Sequence, residues 1–147
     1  MIKKDSSKVT GSVNVVVRGD DGAIKQEFTV PNLVVDTGLD YIASRMEGTS
    51  DAVMSHMAVG TGTTSAASGD TALETEAARV ALTSTTVTDN AVAYVATFAA
   101  GTGTGALTEA AILNASSGGT MLCRTVFSVI NKGASDSMTV TWTVTIS

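Results

Sequence analysis

Four kinds of residue in this chain could do chemistry, and each requires a particular arrangement. His56 could serve as the base of a serine nucleophile, and with 15 serines in the chain a neighbouring hydroxyl carries little information. No Gly-x-Ser-x-Gly elbow is present, so His56 reads as a hydrogen-bonded strand or rim residue. Cys123 lies in the most apolar segment and reads as an inert core thiol. Acidic residues Asp20 and Asp21, Glu74 and Glu76, and Glu109 invite a paired-carboxylate reading. Turn geometry accounts for the first pair and helix-dipole preference for the second. Calcium at Asp20 and Asp21 would want a spaced ligand loop, which is missing. The stretch Gly60-Thr61-Gly62-Thr63, with its echo Gly101-Thr102-Gly103-Thr104, could turn backbone N–H groups toward an anion. Neither copy is followed by the Lys-Ser/Thr of a nucleotide-binding loop, so both read as flexible connectors. No catalytic, cofactor or metal site is expected.

Four charges are more informative. Glu76, Arg79, Glu109 and Arg124 each sit inside an otherwise apolar stretch. Charge in such places is costly unless paired, so these four are expected to form structural ion pairs, within a subunit or across an interface.

Composition narrows the rest. The 147 residues include one Cys and one His, which excludes a disulfide framework and a Cys/His zinc site. A net charge of −5 argues against a basic nucleic-acid surface. No run of 18 apolar residues exists to span a membrane, and Met1-Ile2-Lys3-Lys4-Asp5 lacks the apolar stretch of a secretory signal. Only 16% of residues are charged and 44% are hydrophobic, against about 25% charged in an average soluble domain. A chain so short of charge is compact, with apolar surface to spare for neighbouring subunits.

The elements that must position these groups are mostly strands. Thr and Val, 23 and 18 of the residues, favour extended backbone. In 138–146, Met138, Val140, Trp142, Val144 and Ile146 share one face and Thr139, Thr141, Thr143 and Thr145 the other, which is a half-buried strand. Segment 121–130 is apolar on both faces, as a central strand would be. It is expected to pair with 138–146 as a hairpin through the turn cluster 131–137. Hairpins are also expected from 80–87 with 92–98, and from 12–18 with 23–30. Leu39, Ile42, Ala43 and Met46 give one helix, with Thr37 as N-cap and Gly48 as terminator. A weaker helix is expected over 71–79, entered through Asp70. The fold class is mainly β: an antiparallel β-sandwich or small jelly-roll-like barrel with one short helix, residues 12–147 forming a single β domain behind an N-terminal arm, 1–11.

A family resemblance emerges from residues taken in order. Asn32-Leu33-Val34-Val35-Asp36-Thr37-Gly38 is followed by Met57-Ala58-Val59-Gly60-Thr61-Gly62-Thr63-Thr64, then Asp70-Thr71-Ala72-Leu73, Glu76 and Arg79. Leu107-Thr108-Glu109-Ala110-Ala111-Ile112-Leu113, Met121-Leu122-Cys123-Arg124, Phe127, Ile130-Asn131-Lys132-Gly133 and the Thr/Val strand complete the series. This order resembles bacteriophage virion proteins of the tail-collar-fibre and head- or neck-decorating kind, with Ala111 where that pattern has Gly. The tail-collar fibres continue into a shaft and receptor-binding tip; Ser147 is followed by neither, which favours a stand-alone component. The resemblance implies a non-enzymatic structural protein of the virion, made in the host cytoplasm, that decorates or joins capsid, collar/neck or tail subunits. Its implied partners are other virion proteins and copies of itself, as a dimer or trimer, with no nucleic acid, membrane or cofactor. The expected contact residues are Thr139, Thr141, Thr143 and Thr145, the loop residues Thr61, Thr63, Thr64, Thr102 and Thr104, and Lys3 and Lys4 of the arm. A fibre-type module binding a host surface glycan or protein is the alternative.

Overall fold

The computed structural model describes residues 8–48 and 51–147. Ten strands and one helix run in the order β1 (Val9–Arg18), β2 (Ile24–Pro31), β3 (Leu33–Val34), α1 (Asp36–Met46), β4 (His56–Gly60), β5 (Glu76–Ala81), β6 (Ser84–Thr88), β7 (Ala91–Phe98), β8 (Gly105–Leu113), β9 (Met121–Lys132) and β10 (Ser137–Ile146). They form two five-stranded antiparallel sheets. Sheet A has the order β2-β1-β10-β7-β6 and sheet B the order β3-β9-β8-β4-β5. Neither sheet closes on itself, so the architecture is a β-sandwich and not a barrel.

The alternation in β10 sets the core. Met138, Val140, Trp142 and Val144 are buried, and the register carries this parity to Val17, Val15 and Val13 on β1 and to Phe98, Ala96, Tyr94 and Val92 on β7. Met57, Val59, Leu107, Ala110, Ile112, Cys123 and Phe127 meet them from sheet B. Two covered faces explain why 121–130 reads as apolar on both sides. The core lies on one side of β9, with Asp70 and Leu73 of the 61–75 segment on the other; helix α1 packs against the strand with Tyr41 and Ile42 on the main core. Gly38 permits that close approach, because a Cβ there would overlap the Leu122 carbonyl.

Several expectations are corrected. β9 and β10 are not a hairpin: they lie in different sheets, and 133–136 cross from B to A. The proposed helix over 71–79 is absent, and Glu76–Ala81 is strand β5. The stretch 80–87 is not one strand. The chain leaves sheet B after Ala81 and enters sheet A at Ser84. Thr37 does not cap α1. Val35 occupies the N-cap position, and the Thr37 hydroxyl donates to the Met121 carbonyl at 2.8 Å, tying helix to sheet. Val9, Thr10 and Gly11, assigned to the arm from the sequence, begin β1 and pair with β10.

Candidate functional site

The charges that stood out in the sequence gather on the outer face of sheet B. Glu109 lies opposite Gly60, and Arg124 opposite Ala111, two residues along the same face of β8. Glu76 and Arg79 are three apart and would point to opposite faces of a regular strand. The register shift at Val59/Gly60 sets Glu76 opposite Gly60 and Arg79 opposite Ala58, so both emerge on the outer face.

Glu109 is fully buried, and five donors surround its carboxylate. Oε2 accepts from the N–H groups of Gly62 and Thr75, both at 2.8 Å. Oε1 accepts from the Glu74 N–H at 2.9 Å and from Arg124 Nε and Nη2 at 3.2 and 3.0 Å. Burial alone would raise this carboxyl; the N–H bonds of Thr75, Glu74 and Gly62, with the guanidinium, outweigh it and hold the group below the usual range. Arg124, also buried, spends Nη1 on Asp70 at 2.8 Å and Nη2 on the Thr64 carbonyl at 3.0 Å. Arg79 forms a two-pronged pair with Glu76, at 3.0 and 2.7 Å, and donates Nη1 to the carbonyls of Ala115 and Gly118, both at 2.9 Å. The pairs observed are thus Glu76–Arg79 and Glu109–Arg124, both within the one chain.

The first Gly-Thr-Gly-Thr stretch is not a flexible connector. Its N–H groups do turn toward anions, and the anions are the protein's own carboxylates. Gly62 serves Glu109, while Thr63 and Thr64 serve Glu74 through their N–H groups, with the Thr64 hydroxyl donating as well. The Thr64 hydroxyl, followed by the backbone bonds, holds the Glu74 carboxyl below its usual range. A Cβ on Gly60 would overlap the Thr75 carbonyl, and one on Gly62 would sit 2.5 Å from Glu109 Oε2. The whole segment 61–75 is therefore strapped across sheet B. Leu73 is pressed into a small apolar cluster with Val35, Ala58, Ala111, Leu113 and Met121. The second stretch is different. Gly101 and Gly103 have φ of 85° and 67°, and they carry the chain from β7 in one sheet to β8 in the other.

The expected contact residues do not form one patch. Thr139, Thr141, Thr143 and Thr145 lie half-buried on the outer face of sheet A. Thr61, Thr63 and Thr64 belong to the strap on the opposite side of the sandwich, and Thr102 and Thr104 to the crossover between the sheets. Lys3 and Lys4 fall outside the described residues.

A second buried charge cluster is one that sequence reasoning passed over. Lys132 and Asp136 are buried. Lys132 Nζ donates to the Ala99 carbonyl at 3.0 Å, and Asp136 accepts from Lys25 Nζ and the Gly133 N–H, both at 2.8 Å. Burial lowers the Lys132 ammonium, partly offset by the Asp136 charge; Lys25 is the main reason that the Asp136 carboxyl is held low. Ile130 and Lys132 turn inward only because of the register shift between Leu107 and Glu109, which reverses the alternation set by Cys123 and Phe127 and has no signal in the sequence.

The remaining candidates have local roles. His56 Nδ1 shares a 2.8 Å hydrogen bond with the hydroxyl of its neighbour Ser55. Burial pushes the Cys123 thiol up, away from the reactive thiolate. Asp21 accepts from the Ala23 N–H at 2.9 Å, closing the β1–β2 turn. Among the described residues, no group of three or more His, Cys, Asp or Glu side chains could hold a metal ion, and no helix is long and apolar enough to cross a membrane. What the arrangement does chemically is clamp two loops onto one face of a sandwich. No family model, curated protein or solved structure matches the chain.

Proposed function

We propose that the protein is a non-enzymatic structural component of a bacteriophage particle, which joins or decorates capsid, collar/neck or tail subunits by protein–protein contact. The observation that carries this reading is the outer face of sheet A. Thr139, Thr141, Thr143 and Thr145 run down its centre. In register beside them stand Val16, Asn14, Ser12 and Thr10 on β1, and Thr97, Val95, Ala93 and Ala91 on β7. None of these twelve is ionisable. Charge appears only beyond them, at Arg18 at the end of β1 and Glu27 on β2.

A face kept for water ordinarily carries Lys and Glu, whereas depletion of charge marks the centre of a protein–protein contact. Short side chains also lose little rotamer freedom when covered. The resemblance to tail-collar-fibre and head- or neck-decorating proteins supplies the phage setting. The aromatic residues favour this over a glycan-binding tip: Trp142, Phe98, Tyr94 and Phe127 are buried, and Phe28 and Tyr41 half-buried, leaving no exposed ring to stack on a sugar.

Quantitative mass spectrometry of purified particles tests the proposal. The protein should be present at a fixed copy number, whose value separates capsid from collar or tail. Thr141→Lys protein should fold normally and fail to incorporate. Absence from purified particles, or full incorporation of the variant, would overturn the assignment.

A further inference from the structure

The sandwich has four sheet edges, and three of them are guarded. β2 carries Lys25, Glu27 and Pro31, with a register shift against β1 at Val17/Arg18. β3 is two residues long. β5 carries Glu76 and Arg79 and also has a register shift. Charges, proline, bulges and shortness are the devices by which sheet edges avoid pairing with other chains.

The fourth edge, β6, has none of them. Its sequence is Ser84-Thr85-Thr86-Val87-Thr88, every residue is exposed, and its register with β7 is unbroken. Its outer side adds Ser84, Thr86 and Thr88 to the uncharged face of sheet A. Its inner side is uncovered too, because Val87 pairs with Val92 at the margin of the core and is still 69% exposed. Edge and both sides are open, on a strand built from β-branched residues.

We propose that β6 is a pairing edge whose partner is β6 of a second copy of this chain, antiparallel across a twofold axis. The strand is neutral, so pairing it with itself sets no like charges opposite each other. A twofold through Thr86 uses all five residues. Ser84 then faces Thr88 of the second copy, and Thr85 faces Val87, so each exposed valine gains a cross-strand neighbour. The two sheets A become one sheet of ten strands. Such a contact is isologous, and with the other edges guarded it closes at two copies and does not propagate. The inference uses a different surface from the face of β10 and does not rest on the virion assignment.

Two measurements on the full chain test it. In sedimentation velocity over a concentration series, the protein should pass from monomer to dimer. Val87→Lys should weaken the association by at least about tenfold at low salt, through like charges brought together across the axis, while at dilutions where both proteins are monomers its melting temperature stays that of the wild type. In parallel, Thr86→Cys should be cross-linked to itself by a short bis-maleimide, whereas Thr29→Cys on the guarded β2 edge should not. The native Cys123 is buried and does not compete. A monomer at every concentration would overturn self-pairing and leave the edge to a strand of some other protein. Dimerisation insensitive to Val87→Lys, or equal cross-linking of Thr29→Cys, would overturn it as well.

Discussion

Replacing Glu109 by Gln probes the clamp on sheet B with almost no change of shape. The carboxylate accepts from Gly62, Thr75, Glu74 and twice from Arg124. An amide keeps one oxygen and puts an NH2 in place of the other. With the oxygen turned to Arg124 and Glu74, the NH2 faces the N–H groups of Gly62 and Thr75, donor against donor. Each orphaned buried donor costs roughly 1–3 kcal/mol, and removing one charge from a buried pair costs about 3–5 kcal/mol. Asp70 still neutralises Arg124, and the strap can relieve the donors by lifting off sheet B, which exposes Leu73 at a cost of about 1.5–3 kcal/mol. The expected net loss is about 3–5 kcal/mol, a large part of the roughly 5–15 kcal/mol total stability of a domain. Urea unfolding at pH 7 reads the loss, and amide hydrogen exchange locates it. The Gly62, Glu74 and Thr75 amides should lose protection before those of β1, β10 and β7. A midpoint within about 0.5 kcal/mol of wild type, with those three amides still protected, would refute the clamp.

Acid should act on the same parts. Glu109, Glu74 and Asp136 are held below their ordinary values of 4.5, 4.5 and 3.8, so the unfolded chain takes up protons more readily than the folded one. The stability they contribute is complete above those values and drains as pH falls below them; urea midpoints between pH 7 and pH 3 should show it, with a shallower decline in Glu109→Gln. Gly60→Ala should cost about 1–3 kcal/mol in the same assay, because the Thr75 carbonyl cannot move aside, while Gly69→Ala, with open space around it, should stay within about 0.5 kcal/mol. Trp142→Ala should cost about 3–5 kcal/mol, the ring being fully buried. Trp142→Phe should cost less than half of that, since the buried indole N–H has no hydrogen-bond partner to lose among the described residues.

What could be read from the residues depended on whether the deciding force was local. The alternation of 138–146 and the turn residues between 12–18 and 23–30 are local signals, and β10 and the β1–β2 hairpin follow them. Asp70, Glu74 and Glu76 resemble the acidic start of a helix, yet the first two find partners beyond any helical turn: Arg124 for Asp70 and the Thr63–Thr64 amides for Glu74. The residues 131–137 announce a turn without saying which sheet the chain enters afterwards. The isolated charges of Glu109 and Arg124 foretold a pair, because burial leaves charge few alternatives. They did not foretell that the pair would fasten the 61–75 segment, which depends on the distance between Gly62 and β8. The glycines there looked permissive, and their actual role is to let backbone and carboxylate meet.

The place of β10 in sheet A governs how the domain can be made. It lies between β1 and β7, with ten paired positions on one side and eight on the other, and it follows every other strand in the chain. During synthesis the β1–β2 and β6–β7 hairpins emerge with their central slot vacant, and half of the sandwich waits for residues 137–146 to leave the ribosome. When they arrive, they zip the hairpins together and bring Lys8 and Ser147 into mutual backbone hydrogen bonds at 2.9 Å, so sheet A closes only once its last strand is in place.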